Sequence, residues 1–251
     1  MSPESDFYIG YLPKAPMGVR GFVRRVIVGL GLLAVILAVV LSLGQMPFAE
    51  AYFEFSKLRD FEGTVVARPY PSLIVSRPGQ PDQGDSTSEY LLVAPGKHGA
   101  DSLISSFVDK NVRLRGQLIY RDGETMIEID PGSLQQKGTQ SAEQAVTESL
   151  GTLTVTGEIV DSKCYLGVMN PGSGKVHRDC ASRCLSGGIP PLFIEFAGGR
   201  QLLLIAEDGS ELSYDQIKEF IAEPLTIHGE HIQRGERHLL RIDRRQLRHS
   251  D

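Results

Sequence analysis

The sequence has no C-x-x-C pair, no C-x-x-C-H, no nucleophile elbow, no P-loop and no glycine-rich dinucleotide fingerprint. Those absences leave thioredoxin-like exchange, covalent c-type haem, serine-hydrolase chemistry and nucleotide binding without motif support. Tryptophan is missing altogether, and there are three cysteines. An excess of positive charge is missing too: 26 Lys and Arg face 31 Asp and Glu, for a net charge of −5. Nothing electrostatic therefore points to a nucleic-acid partner. The basic stretch from Arg241 to His249 reads as a solvated tail. What remains is ordinary for a globular protein, 41% apolar and 23% charged. The 251 residues leave room for an anchor and one or two modest domains.

One segment lacks charge completely. Val26 to Gly44 is 19 residues long, and at about 1.5 Å per residue it crosses roughly 30 Å of hydrocarbon. Lys14, Arg20, Arg24 and Arg25 precede it, whereas Glu50 and Glu54 follow. The basic excess before the helix places residues 1–25 in the cytoplasm as a tail. The expected topology is a single-pass inner (plasma) membrane protein, held in the lipid bilayer by residues 26–44, with its bulk periplasmic or otherwise extracytoplasmic. Ala49-Glu50-Ala51 looks like a signal-cleavage site. A cleavable signal, however, has an apolar region of about 7–15 residues, so the longer run here reads as an uncleaved anchor.

Beyond the anchor the sequence repeats itself. Val112 to Asp130 (VRLRGQLIYRDGETMIEID) aligns without a gap with Leu225 to Asp243 (LTIHGEHIQRGERHLLRID), at an offset of 113. Each copy reads as two alternating strands around a polar turn, Arg121-Asp122-Gly123 or Arg234-Gly235-Glu236. Upstream of each lies a short apolar helix, Ser102 to Val108 or Tyr214 to Ile221. Before that comes an apolar strand, Tyr90 to Ala94 or Gln201 to Ala206. Each module opens on a strand carrying a glycine, Gly63 or Gly157, as a bend would require. Three strands, a helix and two strands is the order of a five-stranded OB-type barrel. The expected fold is therefore mostly β, one transmembrane helix followed by two tandem OB-like barrels at residues 60–134 and 152–247. A single ten-stranded sandwich is the alternative. Gln135 to Ser149 reads as a polar linker, with a short helix over Ser141 to Leu150, and Gly79 to Ser88 as a loose loop.

The second module carries an insertion at residues 161–191 that holds all three cysteines. His177 to Leu185 has helical character and stops at Gly188 and Pro190. On that helix His177, Cys180, Ala181 and Cys184 share the inward face, while Arg178, Asp179, Ser182 and Arg183 face out. Cys164 is the natural fourth group opposite them. Three chemistries fit. Cys164 can form a disulfide with Cys180 or Cys184, which persists outside the cytoplasm. Cys164, His177, Cys180 and Cys184 can hold a metal, zinc being the ion that takes such ligands tetrahedrally. His177 and Cys184 lie about 10 Å apart along an ideal helix, so a partial set such as Cys164, His177 and Cys180 is easier to assemble. A thiol beside His177 can also be redox-active. His98, His228 and His231 read as loop and exposed strand residues.

Asp161-Ser162-Lys163-Cys164, then His177-Arg178-Asp179-Cys180-Ala181-Ser182-Arg183-Cys184-Leu185-Ser186-Gly187-Gly188-Ile189-Pro190, resembles a pattern in bacterial exported proteins of no assigned activity. There it takes the form D-x-x-C, then H-x-x-C-A-x-x-C-x-x-G-G-x-P, and it covers about 30 residues of one module. An anchor before a periplasmic OB barrel is also similar to the haem chaperones of cytochrome c maturation. Their C-terminal haem-attaching histidine motif is not matched, so that likeness implies architecture alone. The expectation is a non-catalytic, membrane-anchored accessory or assembly subunit with a membrane-complex protein as partner. The alternative is a periplasmic thiol-redox or metal-delivery protein serving a respiratory-chain complex.

Overall fold

The structure is a computed structural model describing residues 17–44, 51–76, 87–138, 146–243, 245 and 247–249. Outside these residues fall most of the expected cytoplasmic tail, Ala49-Glu50 of the cleavage-like site, 79–86 of the loose loop and 141–145 of the expected linker helix. The chain divides into a unit of residues 1–49 and a unit of residues 50–251.

In the first unit, α1 (Met17–Gly44) is long and apolar enough over Gly18–Leu43 to cross a membrane. It starts nine residues before the apolar run. Helical bonding is satisfied within the backbone, and Arg20, Arg24 and Arg25 are good helix formers, so the helix continues into the charged flank.

The second unit is mostly β. Its first half contains β1 (Tyr52–Phe53), β2 (Arg59–Val66), β3 (Ser72–Ser76), β4 (Thr87–Ala94), β5 (His98–Gly99), the single-turn α2 (Asp101–Ile104), β6 (Asn111–Arg121), β7 (Glu124–Ile129) and β8 (Gln135–Gly138). β2 pairs antiparallel with β3 and β3 with β4; β4 pairs parallel with β7, β7 antiparallel with β6, and β6 with β2. The ring of five closes, which removes its free edges. β6 turns into β7 through Asp122 and Gly123, both at positive φ (49° and 87°), as a tight hairpin needs.

The second half contains β9 (Thr147–Asp161), α3 (Arg178–Ser186), β10 (Pro191–Glu195), β11 (Gln201–Ala206), the single-turn α4 (Tyr214–Ile217), β12 (Leu225–Arg234), β13 (Arg237–Ile242) and β14 (Arg248–His249). The neighbours repeat in the same order: β9 with β10, β10 with β11, β11 parallel with β13, β13 with β12, and β12 with β9. Gly63 and Gly157 occupy matching places. A Cβ on Gly63 would lie 2.3 Å from the Ile74 carbonyl oxygen, and one on Gly157 2.0 Å from that of Ile194. Both first strands cross their neighbour too closely for any side chain.

Two expectations need correction. The linker is not strandless: Gln135–Gly138 pairs with β6, and Thr147 to Ser149 already belong to β9. Of the described part of the expected helix, 146–150, residues 147–150 are therefore strand. Polar residues carry these pairings because each lies on an exposed stretch, where the backbone ladder needs no apolar face. The two expected apolar helices contract to one turn each.

The halves are packed against each other. Leu92, Leu114 and Ile127 fill the interior of the first ring, and Phe193, Leu202, Leu204 and Leu240 the interior of the second sheet. The alternate residues Leu91, Val93, Ile119 and Met126 join Val160, Leu192, Leu203, Ile205 and Leu239 in a third, shared core. Successive strand residues point to opposite faces, so β4 and β11 bury both. Polar clasps seal the seam. The Tyr70 hydroxyl donates to the Leu204 carbonyl (2.7 Å) and accepts from the Leu212 N–H (3.0 Å). Buried Arg237 bonds both Glu89 (3.2 Å) and Glu124 (3.1 Å), and Arg234 adds a second contact to Glu89 (2.9 Å). Burial works to raise Glu89, yet Arg237 and Arg234 hold its carboxyl below the usual range.

Candidate metal centre

The insertion leaves the sheet at Asp161 and rejoins it at Pro191, which pair across its neck. The Ser162 N–H donates to the Pro190 carbonyl (3.1 Å) just beyond. Cys164 opens a single turn, Cys164–Val168, aimed at the core by its neck position. The N–H of Gly174 donates to Glu158 on β9 (2.9 Å), which pins the glycine-rich loop. Burial pushes the Glu158 carboxyl up, and that hydrogen bond opposes the rise. α3 then begins at Arg178, with His177 as its flanking residue, and ends where Gly188 takes φ 90° and Ile189 N–H returns to the Cys184 carbonyl (3.1 Å). His177, Ala181 and Cys184 are buried, Cys180 is half-buried, and Asp179 and Arg183 face solvent.

Three sulfurs converge. Cys164 Sγ lies 3.9 Å from Cys180 Sγ and 3.8 Å from Cys184 Sγ, and all three lie within 4.8 Å of one another. They are free thiols; a disulfide would bring two sulfurs to about 2.05 Å. Among the described residues this trio, with His177 behind it, could hold a metal ion.

His177 joins the cluster through Cys164. Its Nε2 sits 3.0 Å from Asp161 Oδ2, and Asp161 Oδ1 accepts the Cys164 N–H (2.9 Å). The ligand atoms of Asp161, Cys164 and His177 form a second group within 4.8 Å, and Cys164 belongs to both. Because α3 starts one residue late, His177 lies before the helix and turns toward the neck. Asp161 was not foreseen as part of the site, although it stands in the same short D-S-K-C segment.

The first half of the unit contributes as well. Lys97 Nζ reaches Cys180 Sγ at 2.7 Å and Cys184 Sγ at 3.7 Å. Its backbone lies against α3, where a Cβ on Gly187 would fall 1.9 Å from the Lys97 carbonyl oxygen. The Gly99 N–H donates to the Gly187 carbonyl (2.8 Å). In return Lys163, 2% exposed, crosses into the first half. It donates to the carbonyls of Ala94 and Gly96, each at 2.8 Å, and pairs with Glu128. The two lysines are thus exchanged across the seam.

The charges around the thiols are uneven. The hydrogen bond to Cys180 raises Lys97, and the neighbouring thiols support it. Contact with Cys184, burial and nearby Asp161 push the Cys164 thiol up; contact with Cys164, aided by Lys97, draws Cys184 down. Elsewhere, His98 and His228 are exposed as expected, whereas His231 is half-buried with Nε2 3.0 Å from Nδ1 of His238. Compared with family models, with curated proteins and with solved structures, the chain matches none.

Proposed function

We propose that this is a membrane-anchored, extracytoplasmic accessory or assembly protein, non-catalytic, built on two OB-type barrels, the second of which carries a thiolate metal centre. The observation that carries the reading is the convergence of Cys164, Cys180 and Cys184 from separate segments at 3.8 and 3.9 Å. Ligands at about 2.3 Å on a tetrahedral zinc ion stand about 3.8 Å apart, so the sulfurs are spaced as a zinc ion would hold them. In this reading Asp161 and His177 act behind the ligands, Asp161 fixing the Cys164 backbone. Lys97 offsets part of the thiolate charge. The matching neighbour order of the two sheets supports the paired OB-type description, and α1, with basic residues before it, supports an anchor with its N-terminus in the cytoplasm.

Metal analysis with thiol counting on the purified full chain tests the centre. The expected result is about one equivalent of zinc, with all three thiols titrating only after chelation. Less than a tenth of an equivalent of any metal, with a single free thiol, leaves a disulfide clip instead. A second reading, thiol-redox or metal-delivery work for a respiratory-chain complex, is favoured by Lys97 on half-exposed Cys180. It requires fast alkylation of Cys180 at neutral pH in the folded protein, and slow alkylation removes it.

A further inference from the structure

The segment that follows α1 displays apolar side chains it does not bury. Phe55 is 72% exposed, Leu58 49%, Tyr52 48% and Tyr120 36%. They lie on β1, on the turn that follows it and on the strand it pairs with, β6: the Tyr52 and Tyr120 rings stack 5.6 Å apart, and Phe55 meets the half-buried Phe53 edge-on at 5.5 Å. The turn that presents Phe55 and Leu58 is rigidly built. The Glu54 N–H donates to the Leu118 carbonyl (2.9 Å), and the Lys57 N–H to the Glu54 carbonyl (3.0 Å). The buried Glu54 carboxylate accepts two bonds from Arg59, at 2.6 and 2.9 Å. A fixed turn that holds a phenylalanine in water costs free energy unless something covers it.

The position of the patch in the chain names the cover. Tyr52 is eight residues beyond Gly44, the last residue of α1. Eight residues span at most about 29 Å even fully extended, so the patch stays close to whatever surface α1 emerges from. Tyrosines and other aromatics prefer the headgroup layer of a bilayer, where an apolar ring and a polar edge are both accommodated. Exposed Lys57 follows Phe55 in the turn and suits lipid phosphates, while the Arg59 charge is paired with Glu54. We infer that Tyr52, Phe55, Leu58 and Tyr120 form a membrane-seating surface that rests in the lipid headgroup layer. This rests on the anchor reading and adds a second, peripheral contact to it.

The absence of tryptophan makes the test clean, because one introduced tryptophan is the only indole signal. Full chains carrying Phe55→Trp, or separately Leu58→Trp, are reconstituted into vesicles of phosphatidylcholine with phosphatidylglycerol, with and without bromine on the acyl chains near the glycerol. A Val176→Trp chain, altered at a residue 86% exposed on the insertion, serves for comparison. The expected result is blue-shifted emission, at least a twofold loss of intensity in brominated vesicles and weak acrylamide quenching for the first two, with neither lipid effect at position 176. A chain that floats with the vesicles but shows water-like, acrylamide-quenched emission at 55 and 58 overturns this inference and leaves the anchor standing. A chain that does not float overturns both.

Discussion

The two halves of the exposed unit share a strand order but spend their loops differently. Between its first and second strands the first half has only residues 67–71, while the second has 162–190. Between the second and third strands the balance reverses, 77–86 against 196–200. The longer connection in the second half brings in Lys163, the three cysteines and α3, all turned toward the seam. The difference teaches that a long insertion between the first two ring strands is compatible with the same strand pairing. β9 and β10 pair as β2 and β3 do, with the insertion leaving from their open end.

The largest expected effect breaks the comparison at the seam. Glu89→Ala leaves buried Arg237 with the Glu124 carboxylate and the backbone carbonyl of residue 89, and loss of one partner of a buried ion pair costs about 3–5 kcal/mol. Denaturant melts followed at tyrosine should still show one transition, shifted down. Two separated transitions would show the halves to be independent, and the shared core would then be a weak contact.

Smaller and more pointed is a matched pair of substitutions, Gly63→Ala and Gly157→Ala. Each forces a Cβ against a carbonyl oxygen, and overpacking of that sort costs about 1–3 kcal/mol. Equal shifts in denaturation midpoint would mean that the two first strands are equally constrained. A tolerated Gly157→Ala would mean that the insertion lets β9 relax.

The mildest test is pH. Glu89 is held below its ordinary value in the folded state. Its stabilising contribution is therefore full above the unfolded carboxyl value of about 4.3 and is lost as pH falls through the lower folded value. Midpoints measured from pH 6 down to pH 3 should fall more steeply for the native chain than for Glu89→Gln. Parallel curves would assign the acid sensitivity elsewhere.

Much of the scaffold could be read from residues. The gapless repeat located β6, β7, β12 and β13, and the glycines marked the first strands. The two faces of α3 were readable from helical spacing because α3 is amphipathic. The polar pairing of Gln135–Gly138 was hidden, since a solvent-facing strand has no apolar signature. The packing of the halves was hidden in plain view. Leu91-Leu92-Val93 and Leu202-Leu203-Leu204-Ile205 are apolar at every position, which marks burial on both faces, yet a run of that kind does not say what covers the second face. Lys97, Asp161 and Lys163 escaped for another reason. Their partners are thiols, a histidine and carbonyls brought near by the fold, and nothing local distinguishes a lysine that will be buried from one that will not.

The exchange of Lys163 into the first half has a consequence in time. The carbonyls of Ala94 and Gly96 are complete 69 and 67 residues before their donor exists. At about 5–20 residues per second of synthesis, roughly 3–14 s pass before Lys163 is made. Tyr70 waits longer still, 134 residues, for the Leu204 carbonyl. Once β7 is made, at Ile129, the first half has all the strands of its ring but not its cover, with Leu91, Val93, Ile119 and Met126 facing outward until the second half follows. A newly made chain therefore passes through a stage with an apolar face unguarded, and that is when it is most exposed to wrong partners.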